Sequence, residues 1–317
     1  MSQPRFGRMI PAMVTPFDEN RELDLDKAQA LAARLVDGGS DSLIINGTTG
    51  ESPTVFYPQK MELFHAVVEA VGDRVPVIAN VGDNCTADTV GFARDVAELG
   101  VDGFMCVVPY YNKPPQEGMY RHFRTIADAV ELPIILYNIP GRCVVNMEAE
   151  TTLRLAHDCD NVVAVKEASG KMDQVEAIVA GAPDGFVVYS GDDSATLDVM
   201  KRGGAGVIST IGNVSPARMK EIVELAAAGD WEAAEAANER FDAAHDGTVR
   251  NVEPHSRQGS AQAAGLPRGR RAPAARGCHA RAVRAPGRHH ARGGRAVAVC
   301  HPERSALARN RRVPSRR

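Results

Sequence analysis

Long apolar runs and cysteines at metal-binding spacing are both missing from this chain of 317 residues. No stretch approaches the roughly 18 apolar residues of a membrane-spanning helix. No positively charged start precedes a long apolar segment, as it would in a secretory signal. We therefore expect a cytoplasmic protein that has no membrane partner. The six cysteines form no CxxC pair, which predicts reduced thiols and no metal site.

Acidic and large apolar residues are nearly missing from the end of the chain. Residues 247–317 contain 17 arginines, no lysine, no aspartate and two glutamates, a formal charge of +15, whereas the preceding 246 residues carry −18. They also lack isoleucine, phenylalanine, tyrosine, tryptophan and methionine. Because such a segment cannot bury a core, we predict a disordered tail. A nucleic-acid-binding arm is the alternative, but no aromatic or motif pattern accompanies the arginines, so we expect no such partner.

Short apolar runs alternate with amphipathic stretches through residues 1–228. The amphipathic stretches place apolar residues at i, i+3 and i+4, as helices do, and short β-branched runs are typical of buried strands. The runs span 9–17, 41–48, 75–82, 103–110, 132–140, 161–169, 185–193 and 205–213. Eight such units predict an α/β fold, the (β/α)8 TIM barrel, with the start of a C-terminal helical region at 229–246. A doubly wound open sheet is the alternative, but no GxGxxG follows the first run.

Lys166 ends the sixth run, in the sequence NVVAVKEASG. In a TIM barrel, active residues lie at the carboxyl ends of strands. Burial there disfavours the charged ammonium form, so that a free amine becomes available to attack a ketone and form a Schiff base. The alternative is a structural lysine that extends to solvent or pairs with Glu167.

Further candidate residues follow other strands. The loop GTTGES carries Thr48 and Thr49, and its glycines let backbone N–H groups hold a small carboxylate; a capped helix start is the alternative. Tyr111 and Tyr137 end the fourth and fifth strands and could carry protons, although tyrosine is also a common core residue. Arg142 follows a Pro-Gly turn and suits bidentate binding of a carboxylate; a surface salt bridge is the alternative.

The motifs GTTGES, PYYNKPPQEG, LYNIPGR, VKEASG and SGDD follow one another in this order. Over residues 7–246 they resemble the dihydrodipicolinate synthase and N-acetylneuraminate lyase family, and Arg142 favours the synthase branch. The resemblance implies condensation of pyruvate with aspartate 4-semialdehyde to 4-hydroxy-tetrahydrodipicolinate, in lysine and diaminopimelate biosynthesis. It also implies a homotetramer and no metal or nucleotide cofactor.

For pyruvate, the resemblance implies that Lys166 forms the Schiff base. It implies that the backbone amides of Thr48 and Thr49 hold the pyruvate carboxylate, and that Gly191 and Ile208 line the pocket.

For the second half of the reaction, the resemblance implies a proton relay of Tyr137, Thr48 and Tyr111. In this relay Tyr111 comes from a neighbouring subunit. Arg142 is implied to bind the carboxylate of aspartate semialdehyde.

The resemblance also bears on feedback by lysine. Ser52, Asn84 and Tyr110 match positions that bind lysine in inhibited members, whereas Tyr57 and Lys60 replace two histidines of the strongly inhibited type. Because the Lys60 ammonium would repel that of the ligand, we predict weak or absent lysine feedback.

The resemblance stops at Gly247. Read one nucleotide later, degenerate codons from that point permit the family's residues, including Asn, Ile and Lys at the three most restricted positions. We infer a reading-frame shift that produces residues 247–317. The alternatives for function are another pyruvate-dependent 2-keto-acid aldolase, N-acetylneuraminate lyase, and a degenerate barrel inactivated by its altered C-terminus.

Overall fold

The computed structural model describes residues 4–245, with side chains described for residues 4–240. The predicted disordered tail and the inferred frame shift, at 247–317, lie outside these residues. Within the described part, no helix is both long and apolar enough to cross a membrane.

Between residues 4 and 245, eight parallel strands form one sheet. The strands are β1 (Met9–Pro11), β2 (Leu43–Ile45), β3 (Val77–Asn80), β4 (Gly103–Val107), β5 (Ile134–Asn138), β6 (Val162–Glu167), β7 (Val187–Ser190) and β8 (Gly206–Ser209). Each strand from β2 to β7 pairs with the next, and β1 pairs with β8. A parallel bridge between Ala12 and Ile44 joins the end of β1 to β2. The sheet therefore closes as the predicted TIM barrel, and the open-sheet alternative is wrong.

Helices connect these strands over the outside of the barrel. In the described residues they are α1 (Leu25–Asp37), α2 (Tyr57–Val71), α3 (Thr86–Ala97), α4 (Gln116–Ala127), α5 (Pro140–Cys143), α6 (Ala149–Asp158), α7 (Met172–Gly181), α8 (Thr196–Lys201), α9 (Pro216–Ala227) and α10 (Trp231–His245). Helix α1 shows why they form. The Asp24 side chain accepts a hydrogen bond from the N–H of Lys27 at its start, and Leu31 and Leu35 lie one turn apart on its buried face.

One apolar layer lies inside the barrel of strands, and a second lies between the strands and the helices. Side chains that point into the barrel form one cluster, and those that point outward pack against the helices in a larger one. Successive side chains of a strand point to opposite faces. In β6, Ala164 belongs to the inner cluster and Val165 to the outer one, so Lys166 points inward and Glu167 points toward the helices.

Helices α9 and α10 form a third apolar cluster against the outside of β1 and β8. Met9 and Val207 of the strands, Ile222 of α9 and Ala234 of α10 all belong to this cluster. Helix α10 lies where the start of the C-terminal helical region is predicted. The domain boundary at residue 228 stays a prediction.

Candidate active site

Lys166 lies at the carboxyl end of β6, and its residue surface is 4% exposed. Its Nζ lies 4.4 Å from the ring centroid of Tyr137, which is its register partner in β5. The face of an aromatic ring stabilises a nearby cation. Because Lys166 is buried, it does not extend to solvent. The Glu167 carboxylate bonds instead to the side chains of Asn138 and Gln174.

The loop that follows β2 is a tight turn between two left-handed residues. Asn46 and Glu51 have φ values of 59° and 57°, and both are buried. Such backbone is uncommon outside glycine and persists where surrounding contacts hold it. Thr15 Oγ1 donates a hydrogen bond of 2.6 Å to the Gly50 carbonyl and so fixes the turn. The turn leaves Thr48 half-buried at the edge of a cavity.

Arg142 lies in α5, a single helical turn directly after β5. Val144 ends the turn with a φ of 67°, which is rare for a β-branched residue. Its N–H donates a hydrogen bond of 2.9 Å to the Pro140 carbonyl. The strained turn holds the exposed Arg142 at the edge of the same cavity as Thr48.

This cavity has a volume of about 480 Å³ and lies among the loops that follow β2, β3, β4 and β5. It is lined by Thr48, Lys60, Asp83, Tyr110, Arg142 and Cys143, among others. Its lining also includes Val107 of β4. Val107 pairs in register with Tyr137 of β5, and Tyr137 pairs in register with Lys166 of β6. Thr48 and Arg142 therefore share a cavity, whose wall includes Ile139 directly after β5, the strand next to that of Lys166.

The loops after β7 and β8 contact the same lysine region. A Cβ at Gly191 would lie 3.2 Å from Lys166 Cε, so this glycine packs directly against the lysine side chain. Ile208 is fully buried among the inner side chains of the barrel. The hydroxyl oxygens of Thr49 and Thr210 lie 3.4 Å apart and connect the loops after β2 and β8.

Asp193 joins the loop after β7 to the loop after β8. Its carboxylate accepts hydrogen bonds from Ser209 Oγ and from the N–H groups of Thr210 and Ile211, the latter two at 2.9 Å. Burial raises the pKa of the Asp193 carboxyl, whereas these hydrogen bonds and the charge of Lys166 act in the opposite direction. The Asp193 carboxyl therefore lies within electrostatic reach of Lys166.

Tyr111 lies on the protein surface, with 87% of its residue surface exposed. It follows β4 in a loop where Tyr111 and Lys113 both have positive φ values, 70° and 47°. The role of Tyr111 in the relay of a neighbouring subunit stays a prediction.

A second cavity, of about 410 Å³, shares part of its lining with the first. It is lined by Ser52, Tyr57, Lys60, Asp83, Asp88 and Phe92, among others. Lys60 Nζ lies 5.6 Å from the ring centroid of Phe92. Burial lowers the pKa of Lys60, and the charge of Asp83 counteracts this. Asn84 donates a hydrogen bond of 3.2 Å to the Tyr110 carbonyl, so the residues predicted to govern lysine feedback lie in one region.

Residues 4–245 contain Cys85, Cys106, Cys143 and Cys159. The cysteines described there are unpaired thiols. Burial raises the pKa of Cys143 to about 11 and that of Cys106 to about 12, so neither is an activated nucleophile at neutral pH. In the same residues, no group of three or more His, Cys, Asp or Glu side chains is arranged to hold a metal ion.

A model of the Dihydrodipicolinate synthetase family matches residues 5–277 of this chain. The chain belongs to this family. The match extends past Gly247, whereas the motifs that carry the resemblance end before it.

Relatives within the family are similar over most of their length. The curated 4-hydroxy-tetrahydrodipicolinate synthase of Moorella thermoacetica is 55% identical over 232 residues, which are 73% of this chain and 79% of that protein. Dihydrodipicolinate synthase from Cyanidioschyzon merolae, solved with lysine bound, is 40% identical with a TM-score of 0.76 and covers 82% of this chain and 89% of its own. The Acinetobacter baumannii enzyme, solved with pyruvate, is 34% identical with a TM-score of 0.73 and covers 76% of this chain and 82% of its own.

Three polar residues on β6, on β7 or directly after β7 were not predicted as site residues from the sequence. Tyr189 is the register partner of Lys166 in β7, and its hydroxyl donates a hydrogen bond of 2.8 Å to the Gly7 carbonyl. Asp193 lies in the SGDD motif, of which only Gly191 was predicted to line the pocket. Glu167 was considered only as a partner of Lys166. The motif was a usable signal for Asp193, whereas no sequence pattern indicated the contacts of Tyr189 and Glu167.

Proposed function

We propose that this protein is a Schiff-base-forming lyase that condenses pyruvate with aspartate 4-semialdehyde to 4-hydroxy-tetrahydrodipicolinate. The reaction is a step of lysine and diaminopimelate biosynthesis. One observation carries the proposal: Lys166 is buried at the carboxyl end of a barrel strand in a chain that is 45% to 55% identical to synthases of this name.

The first step is carried by Lys166. Its neutral amine attacks the ketone carbon of pyruvate, and water leaves to give an iminium cation. The ring face of Tyr137 would stabilise this positive charge. Loss of a proton from the pyruvate methyl group then yields a nucleophilic enamine.

The carboxylates of the two substrates need separate binding groups. The backbone amides of Thr48 and Thr49 would hold that of pyruvate, with Gly191 and Ile208 against the bound substrate. This assignment is supported by the contact of Gly191 with Lys166 and by the tight turn that carries Thr48.

Arg142 would bind the carboxylate of aspartate semialdehyde, because its guanidinium is at the exposed edge of a cavity that also contains Thr48. The enamine attacks the aldehyde carbon and forms the new carbon–carbon bond. The amine of the semialdehyde then displaces Lys166 from the imine, which closes the ring and regenerates the enzyme.

Protons would move through Tyr137, Thr48 and Tyr111. Tyr137 contacts Lys166 within the chain, whereas Tyr111 is exposed and would reach the site of a neighbouring subunit. The relay therefore implies a homo-oligomer, for which the family resemblance suggests a tetramer. We place the enzyme in the cytoplasm, and the unpaired thiols of Cys106 and Cys143 are in keeping with a reducing compartment.

Borohydride trapping tests the proposal. After incubation with pyruvate and borohydride, peptide mass analysis is expected to find a reduced pyruvate adduct on Lys166, and none in Lys166→Arg. Aspartate semialdehyde should then be consumed as the acceptor, and N-acetylneuraminate should not be cleaved. Cleavage of N-acetylneuraminate, or condensation with another aldehyde only, would favour a lyase or another aldolase.

A folded chain that forms no adduct would contradict the proposal for this polypeptide. The same experiment on a chain with the inferred reading frame restored separates two causes. An adduct only in the restored chain would identify a barrel inactivated by its altered C-terminus. No adduct in either chain, together with salt-dependent retention on heparin, would favour a non-catalytic protein that binds nucleic acid.

A further inference from the structure

Glu167 is a buried carboxylate beside the catalytic lysine, and it lies on the opposite face of the strand. Its residue surface is 3% exposed. The carboxylate accepts hydrogen bonds from Asn138 Nδ2 at 3.0 and 3.1 Å, from Gln174 Nε2 at 2.8 Å and from the N–H of Ser169 at 2.7 Å. All of these donors are neutral. Because a buried charge is costly unless hydrogen bonds compensate it, this arrangement needs a reason beyond packing.

The carboxylate determines how two amide side chains are oriented. An ionised carboxylate can only accept hydrogen bonds, so Asn138 and Gln174 must both present their NH₂ groups to it. The carbonyl oxygen of the Asn138 side chain then points away and accepts from the N–H of Met147 at 3.0 Å. The carbonyl oxygen of the Gln174 side chain accepts from Asn146 Nδ2 at 2.8 Å.

These two amides hold the end of one loop. Gln174 Nε2 also donates to the Met147 carbonyl at 3.1 Å, and Asn138 Nδ2 donates to Asn146 Oδ1 at 2.9 Å. Asn138 itself is the last residue of β5, where the loop begins. Glu167 therefore connects β6 to both ends of the segment between Asn138 and Met147.

That segment carries Arg142. The residue lies in a one-turn helix, followed by Val144 in a left-handed conformation that persists only where its surroundings hold it. A one-turn helix has little stability of its own. The position of the Arg142 guanidinium consequently depends on how firmly Asn146 and Met147 are anchored.

We propose that Glu167 is a positioning residue for Arg142, which acts through Asn138 and Gln174 and thereby sets the affinity for the carboxylate of the second substrate. This inference rests on the proposed function, in which Arg142 binds aspartate semialdehyde and Lys166 binds pyruvate. The inference distinguishes the two halves of the site. The hydrogen bonds that connect Glu167 to the loop of Arg142 run through Asn138, Gln174 and Asn146 and do not involve Lys166.

Glu167→Gln tests the inference. It keeps the size of the side chain but replaces one accepting oxygen with an NH₂ group, which cannot accept the hydrogen bonds that Asn138 and Gln174 donate. We expect the KM for aspartate semialdehyde to rise by about tenfold or more, because small displacements of a binding group have large effects. Borohydride trapping of pyruvate on Lys166 should stay at the wild-type rate. Glu176→Gln is the matched control: Glu176 is exposed on the same helix as Gln174 and bonds to Arg202, and its replacement should change neither quantity.

A double-mutant cycle shows whether the effect passes through Arg142. If it does, Glu167→Gln should add no more than about twofold to the KM of Arg142→Lys. Independent, multiplying effects would overturn the proposal, as would loss of pyruvate trapping in Glu167→Gln. An unchanged KM in a chain that traps pyruvate would refute the positioning role alone, whereas a wild-type chain without an adduct would refute the proposed function and this inference together.

Asn146→Ala provides a second route if Glu167→Gln does not fold. It removes the hydrogen bonds of Asn146 to Asn138 and Gln174 from the loop side and leaves Glu167 in place. The same rise in KM, with normal trapping of pyruvate, is expected. A wild-type KM in this variant would contradict the proposed connection between Glu167 and Arg142.

Discussion

Gly191 contacts the side chain of Lys166, and Gly191→Ala is the substitution that tests the packing of the site most directly. The added Cβ would lie 2.7 Å from the Cβ of Ala168, 3.1 Å from the carbonyl oxygen of Glu167 and 3.2 Å from Lys166 Cε. Ordinary contacts between carbon atoms are about 3.5–4.0 Å. The alanine therefore forces either the lysine side chain or the backbone of two strand ends to move.

Overpacking of this kind costs about 1–3 kcal/mol. If the lysine moves, the rate of pyruvate adduct formation should fall by about 5- to 150-fold, since 1.36 kcal/mol corresponds to a factor of ten. If the backbone moves instead, the free energy of unfolding should fall by about 1–3 kcal/mol. Trapping rates with borohydride and urea unfolding of the same samples measure both quantities.

Gly91→Ala is the control for this experiment. A Cβ at Gly91, in α3, would meet no atom within 4 Å. In a helix, this change should be neutral or stabilise the fold by about 0.5–1 kcal/mol without affecting adduct formation. A Gly191→Ala variant that traps pyruvate at the wild-type rate and keeps its stability would refute the described contact between Gly191 and Lys166.

Two further predictions concern ligand and proton binding. Millimolar lysine should leave the initial rate nearly unchanged because of the Lys60 ammonium, and Lys60→Gln should increase inhibition; strong inhibition of the wild type would contradict this. His122 is buried, and burial lowers its pKa from 6.5 to about 4, against the opposing charge of Asp83. The unfolded chain then binds a proton that the folded chain refuses, so stability should fall as pH drops from 6.5 to 4, by about 3 kcal/mol in total. Urea unfolding across this range should show a weaker pH dependence in His122→Asn, and parallel curves would exclude the effect.

The eight-strand pattern was predictable because barrel strands are encoded locally. The run at 161–169 contains β6, and the amphipathic stretches overlap the long helices, since each element buries one face and the spacing of apolar residues records it. The one-turn helix α5 was not predicted. The position of Lys166 at a strand end followed from the same pattern. Its catalytic role remains a prediction, as do those of Tyr137, Thr48 and Arg142.

Groups that act across the barrel could not be predicted in this way. Tyr189 and Lys166 lie opposite each other because β6 and β7 pair in one register, and that register depends on the closure of the whole sheet. The pairing of Glu167 with its sequence neighbour Lys166 was the structural alternative to a catalytic lysine. The alternation of side chains along β6 instead directs it away from Lys166, to amides on β5 and α7.

The sequence by itself determined the alternation of strands and helices, and with it the barrel, the position of Lys166 at a strand end and the family to which the motifs belong. These follow from short-range spacing and from residue types in a fixed order. Only the tertiary structure decided which distant side chains meet: Gly191 against Lys166, Asp193 on the loop after β8, and Glu167 on the amides that hold the loop of Arg142. Such contacts depend on strand register and loop geometry, which arise when all eight strands close together and which no local stretch of sequence specifies.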